Sequence, residues 1–193
     1  MKNRHMMSGL LLLIILLVSC HTTAIHPGDL LFHVSSEANA ITDVTPGMID
    51  HVAIALSKDS VIEAIGRGVV VTPVDSLRRQ TGHYLIGRVR KAAIQPSLYR
   101  AKAYLGCPYD SLYMPTDEAV YCSELVQLAY VDPDGKQIFA PIPMSFHDAT
   151  GQITDYWKDF YGRQGLIVPE GELGTNPAEM SQRKQIRIIG RLR

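Results

Sequence analysis

Apolar and polar positions follow three different rhythms along this chain. Leu10 to Val18 is an unbroken apolar run, LLLLIILLV. Behind it come short apolar runs separated by turn signals, the pattern of strands. Pro27-Gly28-Asp29 is a turn before a strand at Leu30 to Val34. Ser35 to Met48 is polar and broken by Pro46-Gly47, which predicts a loop. His51 to Leu56 (HVAIAL), Val61 to Ile65 (VIEAI) and Val69 to Val74 (VVVTPV) are three apolar runs divided by Ser57-Lys58-Asp59-Ser60 and Gly66-Arg67-Gly68. They predict an antiparallel meander, with Pro73 placing the third run at an edge. Asp75 is positioned to cap a brief helix, and Tyr84 to Val89 is a further strand.

The rhythm then lengthens to helical spacing. Gln95-Pro96-Ser97 opens a helix through Leu105, with Leu98, Ala101 and Leu105 on its apolar face and Gly106 as its stop. Tyr121 to Tyr130 is a second helix. Cys122, Leu125, Val126 and Ala129 share one face, and Pro133 and Gly135 end it. Asp155 to Tyr161 is a short aromatic helix whose Trp157, Phe160 and Tyr161 suit either a core or a pocket wall. Gln185 to Ile189 is a last strand. A helix pair on an antiparallel sheet is an α+β architecture.

Composition narrows the possibilities. A chain of 193 residues with 46% hydrophobic residues supports one globular domain. Lys plus Arg number 19 and Asp plus Glu 19, so the net charge is zero. That excludes a broad electrostatic grip on nucleic acid and disfavours disorder. Lys2, Arg4 and His5 precede the apolar run, which is too short to span a bilayer comfortably and reads as an export signal. It closes on Leu17-Val18-Ser19-Cys20, which resembles the bacterial lipobox. The resemblance implies lipidation of Cys20 after cleavage behind Ser19, with several acyl chains giving a stable membrane anchor. The expected layout is a signal peptide at 1–19, a tether at 20–26 and one domain at 27–193.

The other cysteines, Cys107 and Cys122, could form a disulfide in an oxidising compartment. The surroundings of Cys122 suggest chemistry instead. It sits where the second helix begins, after the polar loop Pro115 to Glu118. The helix N-terminus favours a thiolate, and the first-turn N–H groups have no intrahelical partner and can bind an oxyanion. A base is needed beside it. Of seven histidines, His51 alone opens an apolar strand that would hold it rigidly. The imidazole needs an orienting acceptor. Glu63 is a carboxylate within an apolar strand, where it would be costly unpaired. Whether it shares a face with His51 depends on one turn. A two-residue turn at Lys58-Asp59 puts the two on opposite faces, and a three-residue loop or a bulge reverses this. Asp50, Asp75 and His83 stay open as alternatives. The histidines and cysteines lack zinc-type spacing, and no metal or cofactor is expected.

Gly106-Cys107-Pro108-Tyr109-Asp110 followed by Tyr121-Cys122-Ser123-Glu124-Leu125-Val126 resembles the signature of the NlpC/P60 superfamily of papain-like hydrolases. In ordinary members the cysteine comes first; here His51 precedes Cys122. With Gly28-Asp29-Leu30-Leu31-Phe32, His51-Val52-Ala53-Ile54 and Val61-Ile62-Glu63-Ala64, the chain resembles the circularly permuted YiiX/YebB-like branch from Pro27 to Tyr130. The resemblance implies a permuted papain-like fold, with a small antiparallel sheet or barrel packed against the nucleophile helix. It implies Cys122 as nucleophile, His51 as base, Glu63 as third residue, and Tyr121 and Tyr109 as lining residues. The implied activity is hydrolysis of amide or ester bonds. The implied substrates are peptidoglycan stem peptides or acyl and lipid amides, the latter through kinship with lecithin:retinol acyltransferase-like proteins. A ligand-binding lipoprotein without catalysis, and an acyltransferase using the same pair, are the competing readings.

Overall fold

The computed structural model describes residues 23–114 and 118–193. The expected signal peptide, Cys20, the start of the tether and the tip of the Pro115 to Glu118 loop lie outside the described residues. In chain order the elements are β1 (Asp29–Val34), β2 (Ile49–Ala55), β3 (Ser60–Ile65), β4 (Gly68–Pro73), α1 (Val74–Arg78), β5 (His83–Val89), α2 (Ile94–Ala103), α3 (Cys122–Ala129), β6 (Ile142–Pro143), α4 (Asp155–Gly162), β7 (Leu173–Gly174), α5 (Pro177–Ser181) and β8 (Ile186–Arg191).

Six strands form one antiparallel sheet in the order β4-β3-β2-β1-β5-β8. It is an open sheet with β4 and β8 at its edges, not a closed barrel. Alternate side chains supply its two faces. Leu30, Phe32, Val52, Ile54, Ile62 and Ala64 pack with Leu125, Val126 and Ala129 of α3 and Leu98 and Ala101 of α2. Leu31, Ala53, Ala55, Val61 and Ile86 pack on the opposite face with Val74 and Leu77 of α1. Each fully buried Leu, Val or Ile side chain contributes about 1.5–3 kcal/mol, so the α3 stripe seats that helix firmly. A third cluster gathers Phe146, Trp157 and Tyr161 against Ile41 and Val44 of the loop before β2.

Two local irregularities set the site. The β2–β3 connection pairs Ile54 with Ile62 and Ala55 with Val61. Leu56 N–H donates to Ser60 O at 2.9 Å, which leaves a three-residue loop at Ser57-Lys58-Asp59. That loop length gives His51 and Glu63 the same parity. In the β1–β2 pair, His33 faces His51 while Val34 faces Ile49. Asp50 is the extra residue of a β-bulge, a device that bends a strand and re-aims its side chains.

Three sequence expectations need correction. Asp75 does not cap α1; Pro73 holds that position and Asp75 lies in the first turn, paired with Arg78. Leu105 is not on the apolar face of α2, because the helix ends at Ala103 and the following turn leaves Leu105 48% exposed. The segment after Tyr130 also carries β6, β7 and α5, which are too short to announce themselves by periodicity.

Candidate active site

Cys122 is the first residue of α3, with extended Tyr121 before it and the Glu124 carboxylate accepting from Tyr121 N–H at 3.3 Å. The thiol is 5% exposed. The loop ahead of the helix is held against β4: Val69 N–H donates to Cys107 O at 2.9 Å, and Gly106 N–H to Val69 O at 2.9 Å. Gly68 makes this approach possible. At φ +99, a Cβ there would stand 2.6 Å from Cys107 O. Cys107 and Cys122 are both free thiols, so no disulfide consumes the candidate nucleophile.

His51 connects the helix to the sheet. Its side chain stands beside that of Cys122, close enough to interact with it, and its Nε2 lies 2.8 Å from Oε2 of Glu63. With Nε2 taken by the carboxylate, Nδ1 is the nitrogen left for sulfur. Glu63 is 3% exposed. Burial pulls the His51 pKa down, but its bonds with Cys122 and Glu63 outweigh that and raise it to about 10. These neighbours favour the protonated ring. For Glu63, burial works upward, and the bond and charge of His51, with Thr72 and Arg67 beside it, together outweigh that and hold the carboxyl below its ordinary range. The other candidates for a third residue are elsewhere. Asp50 pairs with His33, Asp75 with Arg78, and His83 stands at the start of β5.

Two cavities flank this row. A slot of about 90 Å³ opens beside Cys122, with room for about three water-sized groups. Its walls are largely apolar: Ile41, Val44, Ile142, Met144, Phe146 and Trp157. Tyr109 and Tyr121 both line it. The Tyr109 hydroxyl meets that of Tyr113 at 3.5 Å, and burial pushes its phenol up. The Tyr121 hydroxyl accepts from Thr175 N–H at 2.8 Å, so Tyr121 also holds the strand before α5 against α3. On the imidazole side lies a wider cleft of about 440 Å³, lined by His51, Glu63, Gln80, Tyr84 and Tyr156 among others.

The sequence reading did not single out Ile41, Val44, Met144 or Phe146. They lie in segments without helical or strand rhythm, and only the fold brings them to Cys122. Trp157, which the sequence suits to either a core or a pocket wall, serves in both.

Comparison with known proteins places this geometry. The family described as permuted papain-like amidase enzyme, YaeF/YiiX, C92 family, matches residues 24–190. A protein of Escherichia coli strain K12, the uncharacterized protein YiiX, is 29% identical over 205 residues, covering 99% of this chain and 96% of that protein. The crystal structure of the metalloprotein yiiX from Escherichia coli O157:H7, DUF1105, superposes with a TM-score of 0.73 at 24% identity, over 88% of this chain and 99% of that one. At that identity the likeness speaks for the fold alone. The fold is the permuted papain-like one, α+β with a mostly antiparallel sheet, while the wider NlpC/P60 kinship stays a resemblance of the two motifs. With its histidine strand ahead of its cysteine helix, and with a family match spanning nearly all the described residues, the chain belongs to the permuted papain-like amidase family, YaeF/YiiX, C92.

Proposed function

We propose that this protein is a cysteine amidase that cleaves acyl amides, with Cys122 as nucleophile, His51 as general acid and base, and Glu63 as the orienting carboxylate. The observation that carries the reading is His51 bridging Cys122 at a helix mouth and Glu63 in the sheet, beside an apolar slot. The Cys122 thiolate attacks the carbonyl carbon, forming a C–S bond. The first-turn N–H groups of α3 receive the oxyanion. The His51 imidazolium gives its proton to the nitrogen as the C–N bond breaks, and the amine leaves. His51 then takes a proton from water, which attacks the thioester and releases the acid. An amine or alcohol in place of water would make the same acyl-enzyme a transferase.

The two cavities divide the substrate. The acyl chain enters the apolar slot on the sulfur side, with Tyr109 and Tyr121 against it. The leaving amine occupies the polar cleft, where His51 delivers its proton. This apolar lining favours acyl or lipid amides over peptidoglycan stem peptides. Release of free acid from N-acyl amino acids of increasing chain length tests the division. A rise in kcat/KM with each methylene is expected, and cleavage of stem peptides alone would overturn it. The metal of the yiiX metalloprotein is not carried over. Among the described residues no group of three or more His, Cys, Asp and Glu side chains is placed to hold one, and each step above uses the chain's own groups.

Glu63→Gln is expected to lower kcat/KM by about 100-fold, short of the roughly 10⁴-fold that loss of the orienting carboxylate costs a serine triad. An unchanged rate would remove Glu63 from the mechanism. The pH profile carries its own sign. The pKa of His51 is raised from 6.5 to about 10, so the proton donor persists through neutral pH and is lost as pH rises through about 10. Activity is expected to hold to about pH 9 and fall beyond it. Stability from the pairing is whole below about 6.5 and declines through the same window. An alkaline limb near pH 7 would contradict the assignment.

We further place the enzyme outside the cytoplasm, tethered by lipid on Cys20. The support is the basic segment, apolar run and Leu17-Val18-Ser19-Cys20. Cys20→Ala is expected to move the protein from the membrane fraction to the soluble one. Membrane retention would show another tether.

A further inference from the structure

Beside Cys122, His51 and Glu63 runs a second row of paired side chains that the chemistry above leaves unused. His33 stands opposite His51 in the β1–β2 register. Its Nε2–H donates to the Thr81 carbonyl at 2.7 Å, and its Nδ1 lies 2.6 Å from Oδ1 of Asp50. A carbonyl only accepts, so Nε2 carries hydrogen. The other Asp50 oxygen accepts from Asn39 Nδ2 at 2.7 Å and is therefore unprotonated. The short contact at Nδ1 therefore holds one proton between the ring and the carboxyl. The bond with Asp50 raises the His33 pKa. Burial pushes Asp50 upward, but its bonds with His33 and Asn39 hold it below its ordinary value.

Asn39 carries this pair into the loop that walls the slot. Its Oδ1 accepts from Ile41 N–H at 3.0 Å and Thr42 N–H at 3.1 Å, and its own N–H donates to Thr42 Oγ1 at 2.7 Å. The next carbonyl, Ala40, accepts from Trp157 Nε1 at 3.1 Å. Ile41, Val44 and Thr45 form one wall of the slot and Trp157 another. The far end of the row is built as closely. Gly82 has φ +83, and a Cβ there would stand 2.9 Å from His33 Nε2, so glycine is what lets Thr81 come under the ring.

We propose that His33, Asp50 and Asn39 are positioning residues that tie the wall of the apolar slot to the strand bearing His51, and so set the acyl-chain selectivity of the enzyme. The bulge at Asp50 is what joins them, because it brings that carboxylate onto the face that His33 and His51 share and sets it against His33. The proposal rests on the slot being the acyl site.

Hydrogen-bond polarity gives the test. Asn39→Asp sets two carboxylates face to face, and Asp50→Asn, while His33 keeps its Nδ1–H, sets two amide donors face to face. The double swap restores the bonds that join His33, position 50, position 39 and the loop, and gives up only the 3.5 Å bond from Asn39 Nδ2 to Ser35 Oγ. A carboxylate at 39 accepts from Ile41, Thr42 and the amide at 50, whose oxygen still accepts from His33. The full chain is treated with methyl and pentyl chloromethyl ketones, and alkylation rates at Cys122 are read by peptide mass mapping. Wild type is expected to prefer the pentyl reagent by about tenfold or more, the worth of a few buried methylenes. Each single variant is expected to fall toward parity, and the double swap to recover most of the preference. Single variants with full preference, or a swap no better than the singles, would overturn the relay. A wild-type ratio near one would overturn the slot reading and the relay with it. Iodoacetamide labelling of wild type no faster than of His51→Gln would instead strike the Cys122–His51 pair, whatever the ratio.

Discussion

Cys122→Ala is expected to abolish turnover, with kcat falling by about 10⁴-fold or more, the scale on which removing a nucleophile acts, while the fold survives. The reason is separable on the page. The sulfur is placed both at the mouth of α3 and against the His51 ring. As packing, it is one small member of a core that also holds Leu125, Val126 and Ala129 on the same helix face. Its loss costs about 1 kcal/mol, the centre of the distribution for point changes. Steady-state rates on an acyl amide, with thermal melts beside them, check both halves. Retained turnover would show that the chemistry lies elsewhere. Lost turnover with a collapsed melt would show that Cys122 matters mainly as core.

His51→Gln is expected to lower kcat/KM by a comparable factor, because a triad acts as a unit and losing its base costs about as much as losing its nucleophile. It should also slow iodoacetamide labelling of Cys122 near neutral pH, since the imidazolium that favours a thiolate is gone. Glutamine is the better probe than alanine. Glu63 is 3% exposed with His51 as its charged partner, and alanine would strand that carboxylate at a cost of about 3–5 kcal/mol. The glutamine amide keeps a donor there. His51→Ala is therefore expected to melt well below His51→Gln while both are inactive. Equal labelling rates in wild type and His51→Gln would refute the pairing.

Much of the fold was legible because its strands are short and its turns are marked. The meander from β2 to β4, Pro73 at an edge and the buried stripe of α3 all follow from period and punctuation. The carboxylate in β3 was legible as a group needing a partner. Which partner was not, because parity hung on whether the turn after Leu56 holds two residues or three, and Ser57-Lys58-Asp59-Ser60 suits either. The bulge at Asp50 carries no glycine or proline to mark it, so the claim of Asp50 on His51 stayed open until the register showed it turned to His33. The slot was least legible. Ile41 lies more than a hundred positions before Met144, Phe146 and Trp157 and meets them only through tertiary packing. Motif resemblance brought Tyr109 and Tyr121 forward, and both stand in the slot.

The order of strands also governs how the molecule is assembled. β5 is flanked by β1, already synthesised, and by β8, which arrives roughly a hundred residues later. Until Ile186 to Arg191 emerge, the outer rim of β5 offers unpaired N–H and C=O groups, a template on which a second nascent copy could dock. A chain cut short before Ile186 would keep Cys122, His51 and Glu63 and still be prone to aggregate. Chain integrity at the far end thus keeps that rim covered, and a proteolytic nick there would expose it without touching Cys122, His51 or Glu63.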